Sequence, residues 1–442
     1  MSRPPTNPAP DQAWQVRTFV ESAAELEARG ELDEAENVYH NILAVAPYHL
    51  HALNFLAVRA LERDELDESE GYLDRALRAA PERAATHQNL ALLHRARGKL
   101  PDALQELDRA LALNAELRSA WLIKGVVLDQ LDRRDEAVMA LWRGWRQFPT
   151  AQQLTETGIA PPHLHKLVRD AAHTLRTSQR ALMQEGLRPV EEQHGRASLA
   201  GVWAACEIYL GERPPDYLHP LQRPHFLYLP GIPARAFFER GALPWSGELE
   251  AATAAICAEL EAVLESGDGT EPYVQSNKGI DPERWRELDH SRRWSAFHLL
   301  KAGARVGRNC ARCPTTWSVL ESLPLPCLSG HAPEALFSIL EPGTHIPPHH
   351  GLGNYKLVVH LPLVIPEDCS IRVGEEARSW RKGECLVFDD SFEHEAWNRS
   401  SARRSVLILD AWNPLLSEAE RDGMTALVEA IAVFNEKYCN PA

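Results

Sequence analysis

No apolar run in the sequence approaches the roughly 18–20 residues a helix needs to cross a bilayer, so no membrane span is expected. The start, MSRPPTNPAPDQ, lacks the apolar stretch of a secretory leader. Positive charge is in deficit: 47 Lys and Arg stand against 62 Asp and Glu, and the net charge of −15 argues against general nucleic-acid binding. Cysteine is sparse, with 8 residues scattered over 442, which is not a disulfide framework and fits a reducing, cytoplasmic setting. Cys310 and Cys313 have zinc-like spacing, but no second pair answers them, and ordinary thiols are expected there.

What is present begins with length: 442 residues exceed one core's usual size, so two or three domains are expected. Residues 1–12 are polar and proline-rich and read as a disordered tail. From about residue 13 a period of 34 emerges. Gly30, Asp64, Gly98 and Asp132 follow it, as do Pro47, Pro81, Ala115 and Pro149, and Tyr39, Leu73, Leu107 and Leu141. Small residues keep the same step at Ala23, Ala57, Ala91 and Gly125, and at Ala35, Ser69, Ala103 and Ala137. This pattern over residues 13–149 resembles the tetratricopeptide repeat, which implies paired antiparallel helices stacked into an all-α solenoid with a concave face. A protein or peptide partner is the expected occupant of such a face; dimerising the chain or bracing the catalytic domain is the alternative.

Residues 150–221 read as a helical connector ending at the proline-rich ERPPDYLHPLQRP. HFLYLPGIPARAFF then reads as strand and turn, ELEAATAAICAELEAVLE as an amphipathic helix, and residues 268–290 as a long polar loop. Beyond it come short β-rich runs at 337–341, 356–365, 369–373, 385–389 and 404–409, the pattern of a small all-β sandwich or barrel. Residues 417–442 close the chain as a helix.

The chemistry-bearing residues fall within those runs. His349, in the loop after Pro347 and Pro348, and His394, at the end of the strand LVFDD, are candidate metal ligands, because neutral imidazoles suit Fe(II). The usual third ligand would stand two residues after the first histidine, where Gly351 offers no ligand atom; a structural role for either histidine stays open. Arg404 could grip a carboxylate with its planar fork, Ser338 could donate to the same group and His360 to a second, whereas a surface ion pair is the alternative for Arg404. Asp389, Asp390, Glu393 and Glu395 could orient His394 from behind, or simply be solvated.

The stretch PGTHIPPHHG…LVVHLPLVIP…GECLVFDDSFEHEAWN…R…LDAWNP closely resembles the aspartyl/asparaginyl β-hydroxylase family, with the likeness covering roughly residues 222–416. That resemblance implies an α+β multidomain chain: the solenoid, then a double-stranded β-helix (jelly-roll or cupin-like) oxygenase domain that uses Fe(II), 2-oxoglutarate and O2. It implies that His349 and His394 bind the metal, that Ser338, His360 and Arg404 bind the co-substrate, and that the missing acid at Gly351 is a family trait. The implied activity is hydroxylation of an Asp or Asn side chain in a protein or peptide. Hydroxylation of a small molecule or lipid, or a scaffold without turnover, are the alternatives. Lys356 keeps a basic position of the family's protein-modifying enzymes, while Val358 and Leu336 stand where further basic residues are expected.

Overall fold

The computed structural model describes residues 10–145, 164–275 and 282–439, and the chain divides into two compact units, residues 1–178 with 435–442, and residues 179–434. Most of the expected tail, Pro149 and the start of the connector lie outside the described residues. In the first unit, helices α1 (Pro10–Arg29), α2 (Leu32–Val45), α3 (Leu50–Glu62), α4 (Leu66–Ala79), α5 (Ala84–Ala96), α6 (Leu100–Leu113), α7 (Arg118–Gln130) and α8 (Arg134–Trp145) form antiparallel pairs at the expected period. The turn residues Gly30, Asp64, Gly98 and Asp132 all have positive φ, between 58° and 76°, so each pair is joined by a left-handed residue that Gly or Asp tolerates. The small slots are small because helices touch there: a Cβ on Gly125 would lie 2.4 Å from Leu141. Residues 435–439 belong to this unit, with Lys437 Nζ and Tyr438 Oη both bonded to Asp135.

The second unit is built on two antiparallel sheets. The larger contains β1 (Phe237–Phe238), β2 (Glu271–Pro272), β3 (Trp294–Lys301), β4 (Ala304–Arg305), β5 (Ala335–Leu340), β7 (Lys356–Val364), β10 (Leu386–Phe388) and β12 (Arg404–Trp412), in the order β1-β10-β7-β12-β5-β3-β2 with β4 on β3. The smaller contains β6 (Thr344–His349), β8 (Cys369–Val373), β9 (Glu376–Ser379) and β11 (His394–Asn398), in the order β6-β11-β8-β9. Strand alternation divides the large sheet's side chains between its two faces. Phe297, Phe337, Val359 and Leu407 pack outward against Ile256, Leu260 and Leu320 of the flanking helices Thr253–Ser266 and Pro314–Ser322. Trp294, Leu340 and Phe388 pack inward against Ile346, Ile371 and Ala396 of the small sheet. Ser338, His360 and Arg404 therefore sit at inward positions on three adjacent strands, with Val406 opposite Ser338 and Ile408 opposite His360.

Several expectations need correcting. His349 is the last residue of β6, not a loop residue, and His394 opens its own strand, β11, rather than closing the one before it. Pro347 and Pro348 stand within a strand because β6 is the small sheet's edge strand, where a missing N–H is tolerated. Most of HFLYLPGIPARAFF is irregular, with only Phe237–Phe238 as strand. The long polar stretch carries β2 and a short helix, Pro282–Trp285, and the closing helix runs over Glu418–Phe434. Cys310 and Cys313 are both buried in the core outside the large sheet, Cys310 donating to Leu299 O at 3.3 Å.

Candidate active site

His349 and His394 are direct cross-strand neighbours on β6 and β11, beside an irregularity between His394 and Ala396, and their ring centroids are 4.0 Å apart. Each Nδ1 lies against a carbonyl that can only accept: Pro347 O at 2.8 Å for His349, Phe392 O at 2.9 Å for His394. Both rings must then carry their proton on Nδ1 and leave the Nε2 lone pair free, the state in which imidazole binds a metal. Burial, reinforced by the neighbouring His394, pushes His349 down to about 3, and burial pushes His394 down to about 4, so both stay neutral. The four acids near His394 do not orient it. Glu393 and Glu395 are bonded to Arg372 on β8, Asp389 to Gln222 and Ser391, and Asp390 lies 3.6 Å from the Lys356 ammonium. Backbone carbonyls do that work instead. Among the described residues no group of three or more His, Cys, Asp or Glu side chains is arranged around a metal position.

The inward side chains of Ser338, His360 and Arg404 form a cluster of donors on the large sheet. Arg404 is 1% exposed, its Nε has no hydrogen-bond partner, and among the described residues its side-chain hydrogen bond is a 3.4 Å approach to Ser338 Oγ. Burial drives its guanidinium down to about 9, still charged at neutral pH, and among the described residues no carboxylate pairs with it. Ser338 Oγ already accepts from Trp294 Nε1 at 3.0 Å and from Arg404, so its own proton is left to donate. His360 is buried and neutral, held far below its usual range by burial and by the charge of Arg404. A buried cation with two further donors and no carboxylate paired with it is costly unless an anion completes it. These residues fit a carboxylate-bearing co-substrate beside a metal held by His349 and His394.

The third basic candidate is not available to a ligand. Lys356 is buried, 2.8 Å from Asp410 and 3.6 Å from Asp390, and these two carboxylates hold its ammonium above the usual range. Gly351 is glycine for a packing reason: a Cβ there would lie 2.0 Å from Asp390 Oδ2. The space a third ligand's side chain would need is already taken by Asp390. Val358 is half-buried and Leu336 buried, both apolar.

Sequence reasoning passed over the aromatic residues. Trp285 meets His349 edge-on at 5.4 Å, Trp294 lies 6.5 Å from the same ring, and Tyr273 stacks on Trp294 at 4.0 Å. Trp380 touches both His360 and Arg404. The only signal was tryptophan itself, 12 residues in all, with nothing in their spacing to tie them to the histidines.

Residues 250–414 match the family model described as aspartyl/asparaginyl beta-hydroxylase. The chain is 34% identical over 224 residues to aspartate beta-hydroxylase domain-containing protein 2 of Xenopus tropicalis, covering 50% of this chain and 57% of that protein. It is 35% identical over 185 residues to the ornithine lipid ester-linked acyl 2-hydroxylase of Rhizobium tropici, covering 41% and 62%. To the human aspartyl/asparaginyl beta-hydroxylase it is 42% identical over 137 residues, covering 30% and 18%. The chain thus spans 57% and 62% of the length of the first two relatives. Among solved structures, a thermophilic TPR protein of Thermus thermophilus matches with a TM-score of 0.29 at 20% identity, over 36% of this chain and 89% of that one. Pseudomonas aeruginosa pilF matches with a TM-score of 0.32 at 17% identity, over 47% and 96%.

Proposed function

We propose that this chain, whose residues 250–414 match the aspartyl/asparaginyl β-hydroxylase family, is an Fe(II)- and 2-oxoglutarate-dependent hydroxylase. The observation that carries the reading is the buried Arg404, whose Nε has no partner and which meets only Ser338 Oγ by hydrogen bond among the described residues, set beside two imidazoles with free Nε2 lone pairs. His349 and His394 would hold the metal. Arg404 and Ser338 would grip the distal carboxylate of 2-oxoglutarate, and His360 would donate to its other end. When bound, iron and co-substrate supply the oxidation: O2 and 2-oxoglutarate become succinate and CO2 as a substrate C–H becomes C–OH. The chain's own contribution is position and dryness, with Trp285 and Trp294 walling His349 on one side. The substrate of this reading is an Asp or Asn side chain of a protein or peptide recruited by the repeats.

A second reading, hydroxylation of a lipid or another small molecule, is supported by the state of Lys356. Its charge is consumed by Asp390 and Asp410, and Val358 and Leu336 supply none, which leaves an acidic side chain without a cation there. The test is succinate release from 2-oxoglutarate by the full chain with Fe(II), comparing candidate peptides with lipid extracts and looking for a 16-Da gain in each. His349→Ala serves as the control. A gain in peptide alone supports the first substrate, and a gain in lipid alone the second. Succinate formation that survives His349→Ala would overturn the metal assignment.

A further inference from the structure

Trp380 follows β9, is buried, and is in contact with both ionisable donors of the co-substrate pocket. Its indole N–H, which can only donate, lies 3.2 Å from His360 Nδ1. That nitrogen must therefore carry the lone pair, and a neutral ring has its single proton on Nε2. His360 is thus fixed in the tautomer opposite to that of His349 and His394, whose Nδ1 atoms face carbonyls. Two imidazoles are prepared as lone-pair donors and the third as a hydrogen-bond donor. The ring centroid of the same indole lies 4.0 Å from Arg404 Cζ, which sits over its face, a cation–π contact. Trp294 does the parallel service for Ser338, occupying one of its acceptor positions at 3.0 Å.

We propose that Trp380 is a positioning residue for the co-substrate, setting His360 as an Nε2–H donor through its indole N–H and seating the Arg404 guanidinium over its ring. The inference rests on the hydroxylase reading but names a residue that reading does not need. A tryptophan that merely filled the core would have no preference for either tautomer and no coupling to His360.

Two measurements test it. Long-range 1H–15N spectra of the 15N-histidine-labelled full chain, with the His360 signals assigned by their loss in His360→Leu, should show the Nε2–H tautomer before any co-substrate is added. An Nδ1–H tautomer would overturn the proposal. In calorimetric titrations of 2-oxoglutarate into Mn(II)-loaded protein, Trp380→Phe keeps a ring under Arg404 but removes the N–H. It should weaken binding about ten-fold in the wild-type background and less than two-fold in His360→Leu, where the tautomer no longer matters. Equal weakening in both backgrounds, or none in either, would overturn the route through His360. Should Trp380→Phe fail to fold, the wild-type tautomer decides. Wild-type protein that shows the expected tautomer yet binds no 2-oxoglutarate would sink the hydroxylase reading itself, and with it the role of Trp380, a result distinct from the loss of coupling alone.

Discussion

At the scale of single residues, the pocket spends stability to prepare for a ligand. Arg404 is buried without an acid, and a buried unpaired charge is worth less to the fold than an apolar side chain of similar volume. Arg404→Met should leave thermal stability unchanged or higher, while 2-oxoglutarate affinity falls by on the order of 3–5 kcal/mol, because the carboxylate would be left buried and unpaired. Thermal melts with and without co-substrate check both halves: wild type should gain stability on adding it, and the variant should not. Arg404→Lys, which keeps the charge but loses the fork, should fall between them. Asp389 gives a pH signature of its own. Burial, with Asp390 adjacent, pushes its carboxyl up to about 7 despite hydrogen bonds from Gln222 and Ser391. A carboxyl whose folded pKa is raised favours folding below its unfolded value of about 3.9 and loses that contribution as pH rises toward about 7. Urea unfolding of wild type should therefore show stability from this group declining between about pH 4 and 7, and Asp389→Asn should remove that decline. Parallel pH profiles for the two proteins would mean that Asp389 is ionised throughout.

Elements explain what was legible beforehand and what was not. The inward positions of Ser338, His360 and Arg404 follow from two-residue alternation on β5, β7 and β12, and all three strands were visible as apolar runs. The strands that hold the metal candidates were not. β6 contains Pro347 and Pro348, and β11 is only His394–Asn398, so neither shows an apolar period. The orienting partners of the histidines were equally hidden, since Pro347 O and Phe392 O are backbone atoms that any residue would supply. One side chain ties these elements together. Asn398, fully buried at the end of β11, donates to Leu340 O, Glu341 O and Ala402 O and accepts from Ser400 and Cys369. It thereby links the ends of β5 and β8 and the turn into β12. Asn398→Ala leaves the buried Leu340 carbonyl without its side-chain donor and breaks the links to Glu341 and Ala402, and should cost about 2–4 kcal/mol in denaturant unfolding. Because β11 and β12 carry His394 and Arg404, metal and co-substrate affinity should fall along with stability. An Asn398→Ala protein as stable as wild type would show that water takes over those bonds.

For the whole molecule, the 34-residue period announced the repeats more plainly than any single residue announced the site, because four registers agree and a solenoid repeats its contacts. Each compact unit has its own buried cores, drawn from α1–α8 in one case and from the two sheets with their helices in the other. What a second unit adds to an enzyme can be read from kinetics without knowing how the two are arranged. If the repeats recruit a polypeptide, their binding energy is remote from the reacting carbon and is used equally in the ground state and the transition state. Losing it should then raise KM for a protein substrate and leave kcat nearly unchanged. A short peptide that reaches only the barrel should show neither effect. The comparison is between the full chain and residues 179–434, with circular dichroism first establishing that the shorter protein is folded and 2-oxoglutarate titration that its pocket is intact. A KM increase of ten-fold or more confined to the protein substrate corresponds to about 1.4 kcal/mol or more of remote binding energy, and supports recruitment. A fall in kcat for both substrates, with co-substrate binding weakened, would show instead that the repeats support the two-sheet unit itself, and the search for a partner would move away from the repeats.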